Sequence, residues 1–136
     1  KKESTDEEPK GCFLCRYRDA PSDDASNHVL TRTSRSIALL NRFPYNNGHI
    51  LVAPLDHLGD ITELDDAALV DGTRLVQTMT ALLRRTMQPD GFNIGLNLGR
   101  SAGAGLPRGC PTIYTPTSFR DGTATPISCR CWGKSA

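Results

Sequence analysis

Apolar residues gather in short blocks separated by polar turns, and one long stretch switches to a different period. His28 to Thr31 and Ser36 to Asn41 read as two short strands around a polar turn, which makes a hairpin the economical pairing. Phe43 to Gly48 (FPYNNG) carries Pro, Asn and Gly, residues that punctuate strands, and His49 to Ala53 (HILVA) then returns as a third strand. Thr62, followed three residues later by Asp65, resembles a helix N-cap with an acid in the first turn. Leu64, Ala68, Leu75, Met79, Leu82 and Leu83 recur at near-helical spacing, so the pattern predicts one long helix over about Glu63 to Met87, stopped by Pro89-Asp90-Gly91. Phe92 to Leu98 (FNIGLNL) alternates as a further strand. It empties into Gly99 to Gly105, small residues whose backbone amides can approach a phosphate.

The flanks differ in character. Lys1 to Lys10 mixes both charges with Ser, Thr and Pro, offers nothing to bury and is expected to be a disordered lead. The domain is expected to begin near Gly11, with Asp19 to Asn27 a polar loop, and to run to Pro107. Arg108 to Ala136 shows neither helical period nor sustained alternation, and Thr112 to Thr125 holds Pro116 and is flanked by Pro111 and Pro126, so this tail predicts a poor strand.

Composition narrows the classes of function. At 136 residues one ordinary domain must carry everything. Sixteen Lys+Arg against fifteen Asp+Glu leave a net charge of +1, so no global field recruits a nucleic acid polymer or an anionic membrane, and phosphate recognition must be local. No apolar run approaches the roughly 20 residues that span a bilayer, and the charged start lacks the apolar stretch of a signal peptide, which leads us to expect a soluble, cytoplasmic protein.

Candidate chemistry sits in a few side chains. Cys12 and Cys15 form a tight C-x-x-C, whose two thiolates suit two corners of a tetrahedral zinc site. A thiol redox pair and two unligated cysteines are the other readings of that spacing. Of the three histidines, His28 is most simply a surface residue. His49 and His57 flank a strand, so at most one reaches the cysteines, and His57, in the turn after Pro54, has the freer geometry. Asn41 and Asn97 serve either as turn and capping residues or as donors to a sugar hydroxyl or phosphate.

Taken together, C-F-L-C at Cys12 to Cys15, A-L-L-N-R-F-P-Y-N-N-G-H-I-L-V-A-P at Ala38 to Pro54, His57, and G-F-N-I-G-L-N-L-G-R-S-A-G-A-G at Gly91 to Gly105 resemble the histidine-triad (HIT) family. The likeness is greatest to its bacterial branch of diadenosine-polyphosphate phosphorylases and hydrolases, and it runs from Gly11 to Pro107. The resemblance implies an α+β fold, an antiparallel sheet with a long helix packed on it, paired into a homodimer that binds a purine nucleotide or dinucleoside polyphosphate. By position it assigns Asn41 to the ribose hydroxyls, and Asn97, Gly99 and the amides around Gly103, Ala104 and Gly105 to the phosphates. Cys12, Cys15 and His57 take three of the four zinc positions of zinc-bearing members.

The family's reaction rests on a His-x-His-x-His motif just after the glycine-rich loop. Its middle His attacks the α-phosphate to form a nucleotidyl-histidine, and its first His resembles the fourth zinc ligand. No histidine follows His57 here, so the chain as written is expected to lack a catalytic residue and turnover. If each codon from Arg108 onward is read from its third base, the degenerate possibilities include Gly-Leu-Pro-x-His-Leu-His-x-His-Val-Val-Pro-Arg-Trp. The histidine codons then straddle Thr112/Ile113, Tyr114/Thr115 and Pro116/Thr117. A frameshift accounts for the tail; a noncatalytic nucleotide- or zinc-binding protein that uses the tail as written is the alternative.

Overall fold

The computed structural model describes residues 11–42, 47–58 and 60–98, together with the backbone of 112–115 and 117–118. The elements run α1 (Phe13–Asp19), β1 (Val29–Arg32), β2 (Ser36–Leu40), β3 (Ile50–Pro54), α2 (Asp66–Met87), β4 (Gly91–Phe92), β5 (Gly95–Asn97), β6 (Thr112–Thr115) and β7 (Thr117–Ser118). Five strands form an antiparallel sheet in the order β1-β2-β3-β6-β5, and β4 pairs with β7 apart from it. This is the α+β architecture the sequence predicts, with the sheet and one long helix.

The β1–β2 hairpin forms where expected. Thr33 closes its turn: its hydroxyl oxygen accepts the Ser36 amide at 2.8 Å, and its own amide donates to the Ser36 carbonyl at 2.9 Å. β2 and β3 then pair in register from Ser36 with Pro54 to Leu40 with Ile50. Successive side chains of a strand point to opposite faces, and here both faces are covered. Ile37, Leu39, Leu51 and Ala53 pack with Leu14 of α1. Ala38, Ile50 and Val52 pack with Leu75, Val76, Met79 and Leu83 of α2. That double cover is why both strands read as unbroken apolar runs rather than as alternating ones.

α2 begins three residues later than the sequence suggests. Asp60, not Thr62, caps a single 3-10 turn at Ile61–Glu63, accepting the Thr62 amide at 2.9 Å, while Glu63 reaches back to the Asp60 amide. Leu64 is extended, which breaks the path, and Asp65 then caps α2 by accepting the Ala68 amide at 2.8 Å. A carboxylate is the stronger acceptor at an N-cap, so the two aspartates divide the segment between them. At the far end Gln88 adopts the left-handed conformation (φ 48°) just before Pro89. Of the residues assigned to the apolar face, Leu82 is exposed, and Val76, which the pattern left out, is buried.

Three further differences matter. α1 was not expected, since its seven residues bury only Leu14 and show no full helical period. The single strand expected over Phe92 to Leu98 is divided: Phe92 pairs in β4, where the Arg84 guanidinium lies 5.4 Å from its ring centre, and only Gly95–Asn97 joins the main sheet. The tail, expected to make a poor strand, supplies β6, whose backbone bonds to β3 on one side and β5 on the other. Thr-Ile-Tyr-Thr is a β-branched and aromatic run, and two neighbouring strands offer it a full ladder. The assigned lead, Lys1 to Lys10, and the remainder of the tail lie outside the described residues.

Candidate functional site

Two groups of side chains lie along the sheet. The first is built by the first turn of α1 and the turn after β3. Cys12 occupies the N-cap of α1 with an extended backbone (φ −71°, ψ 119°), and Cys15 follows one turn on. The chain leaving β3 is tied down where Leu55 donates its amide to the Arg35 carbonyl at 2.8 Å and Leu58 donates to the Asp56 carbonyl at 2.9 Å. Arg18 of α1 donates to the Leu55 carbonyl at 3.2 Å, which fastens this turn against the helix. His57 is thereby carried to the cysteines, its Nδ1 3.1 Å from Cys15 Sγ.

The donor atoms of Cys12, Cys15 and His57 all lie within 4.8 Å of one another. Ligands of a tetrahedral zinc with bonds of about 2.0–2.3 Å stand roughly 3.5–3.8 Å apart, so the cluster needs only small side-chain rotations to close on one ion. Burial, then the hydrogen bond and charge of Cys12, push the Cys15 thiol above its ordinary range, while the Arg18 cation pulls the other way. A bound metal reverses that balance, because a coordinating thiol is deprotonated outright. Two soft sulfurs and an imidazole suit zinc better than a hard cation.

The second group sits at the opposite end of β3. His49, 2% exposed, lies just before β3, and Asn41 just after β2. The antiparallel register joins them: the Asn41 amide donates to the His49 carbonyl at 2.9 Å, and the Asn41 side-chain nitrogen stands 3.2 Å from His49 Nδ1. Burial lowers the His49 pKa and keeps the ring neutral, which leaves a ring nitrogen able to accept from that amide. Sequence reasoning kept Asn41 and missed its histidine partner. Asn97 ends β5 and pairs with Thr112 of β6. Register through β6 sets Asn97 level with Ala53 and Asn41 level with His49, so a ligand touching both must lie across β3 and β6. Gly99, Gly103, Ala104 and Gly105 lie outside the described residues. His28 is exposed, as expected.

The HIT domain family model matches residues 22–107, well over half of the chain. An AP-4-A phosphorylase of Mycobacterium tuberculosis is 40% identical over 86 residues, covering 61% of this chain and 43% of that protein. An adenosine 5'-monophosphoramidase of Schizosaccharomyces pombe is 34% identical over 91 residues, covering 67% of this chain and 63% of that protein. The chain thus spans less than half the length of the mycobacterial relative. A zinc-bound histidine triad family protein of Mycobacterium smegmatis has the same fold, with a TM-score of 0.67 at 21% identity over 85% of this chain and 82% of that one. The family model, the two relatives and the shared fold agree: this chain belongs to the HIT domain family.

Proposed function

We propose that this chain is a nucleotide-binding HIT protein of the branch acting on dinucleoside polyphosphates, a nucleotidyl hydrolase or transferase whose catalytic strand is out of frame as written. The observation that carries the reading is the place of β6. It runs between β3 and β5, with Thr112 opposite Asn97, on the segment where the degenerate codons of the other reading frame admit three alternating histidines. Residues at alternate positions of a strand share a face, so such a segment would present the three rings together beside Asn97. In that repaired chain the middle His attacks the α-phosphate, the bond to the leaving phosphate breaks, and water or phosphate resolves the nucleotidyl-histidine. Asn97 and the loop from Gly99 to Gly105 hold the phosphates, and Asn41, steadied by His49, holds the ribose.

Zinc is the metal we assign to Cys12, Cys15 and His57, a set one ligand short of a closed structural site, with the first His of the repaired motif as the fourth. Its part is to fix α1 to the turn after β3. Homodimerisation is supported by Leu96 of β5, the edge strand among the described residues, and by Ile94 and Leu98 just before and after it, exposed at 46%, 50% and 42% respectively.

The alternative, a noncatalytic binder using the tail as written, is favoured by the same β6, because Thr112–Thr115 pairs in the sheet without any change of frame. Sequencing genomic DNA across codons 98 to 136 separates the two. A recovered His-x-His-x-His establishes the frame reading. If the DNA encodes the tail exactly as it stands, and the protein binds adenine nucleotides by calorimetry without turnover, the binder reading holds.

A further inference from the structure

From the placement of the Cys12 and Cys15 thiols on one turn we infer a second chemistry there: in the metal-free protein the pair is a two-electron redox site, closing to an intramolecular disulfide that excludes metal. The two thiols are unbridged, with their sulfurs within 4.8 Å of each other. Positions three apart on a helical turn lie on one face. Closing that gap to the roughly 2.05 Å of an S–S bond calls for side-chain rotation rather than unwinding. The turn itself is held from elsewhere. Leu14 is buried against Ile37, Leu39, Leu51 and Ala53, and the Phe13 ring meets Tyr17 edge-on at 5.4 Å. α1 therefore keeps the two cysteines together whether or not an ion is bound, and the Cys15 side chain remains partly accessible to a small oxidant.

The oxidant class is a hydroperoxide. Each thiol loses its hydrogen, the S–S bond forms, the O–O bond of hydrogen peroxide breaks, and two waters leave. The product removes two of the three metal donors, since a disulfide sulfur has no thiolate charge to offer, and His57 is left without a sulfur ligand. Disulfide formation stands on the thiol geometry alone; its competition with metal rests on the metal assignment proposed above.

The full chain, stripped with a chelator, is to be treated with hydrogen peroxide, alkylated and digested with trypsin. Cleavage after Lys10 and Arg16 isolates Gly11 to Arg16, which holds both thiols and no other cysteine. The expected peptide is lighter by two hydrogens and carries no alkyl group, and a dithiol reductant restores both sites. One equivalent of zinc is expected to slow the loss about tenfold. Cys12→Ser is expected to abolish the intrapeptide mass loss and leave Cys15 alkylated. His57→Ala is expected to keep the disulfide and lose most of the zinc protection. Recovery of the doubly alkylated peptide, of sulfinic acids, or of bridges to Cys110, Cys129 or Cys131 overturns the disulfide. A disulfide forming equally fast with and without zinc leaves the redox pair standing and overturns the metal assignment.

Discussion

His49, buried beside Asn41, couples stability to pH in a direction that can be worked out. Its folded pKa lies below the ordinary value of about 6.5. As pH falls through that value the unfolded chain takes up a proton that the folded ring refuses, so stability is full above about pH 6.5 and declines below it. Asp24, held low by its hydrogen bond and ion pair with Arg32, and Asp65, held low by the Ala68 amide, act in a more acid window, losing their contribution below about pH 4. The melting temperature is expected to drop between pH 7 and pH 5, and His49→Gln should flatten that segment alone. Arg32 is the other informative side chain. It binds Asp24 through two nitrogens and donates to the Tyr17 carbonyl, tying β1 to α1. Arg32→Lys loses the fork and is expected to cost about 1–2 kcal/mol in denaturant unfolding. At this scale the chemistry of His57 was legible, because a turn after Pro54 gave it freedom to reach Cys15. The partnership of Asn41 with His49 was not, since it depends on the β2–β3 register and not on spacing along the chain.

The elements show where pattern suffices. β2, β3 and α2 bury continuous or periodic apolar faces, and each appears within a few residues of its expected place. α1 and β6 hide from such a reading for different reasons: α1 is too short to display a period, and β6 takes its stability from backbone bonds on both sides. The N-terminal end of α2 rests on Asp65, whose carboxylate also meets the Arg35 guanidinium at 2.7 Å. Asp65→Ala is expected to lower the melting temperature, with Asp65→Asn recovering most of the loss. Met79, buried between α2 and the sheet, should cost more: Met79→Ala is expected to lose roughly 2–4 kcal/mol through lost contact and an unfilled cavity.

For the whole molecule the decisive comparison sets the chain as written beside one carrying the alternative frame after the glycine-rich loop. The first is expected to show no turnover on diadenosine tetraphosphate or an adenosine phosphoramidate; the second should gain turnover and stoichiometric zinc together. Replacing the middle His of the repaired motif should then abolish turnover and spare nucleotide binding, whereas Asn97→Ala weakens both, measured by nucleotide release and calorimetry. The sheet order adds a consequence for synthesis on the ribosome. β5 is made before β6, yet its neighbour in the main sheet is β6. A nascent chain that has emerged only as far as Pro107 therefore holds β3 with an open edge and β5 with nothing to join. Closure of the sheet waits on Thr112–Thr115, and until that strand arrives β3 presents a row of unpaired backbone groups of the kind that invites association.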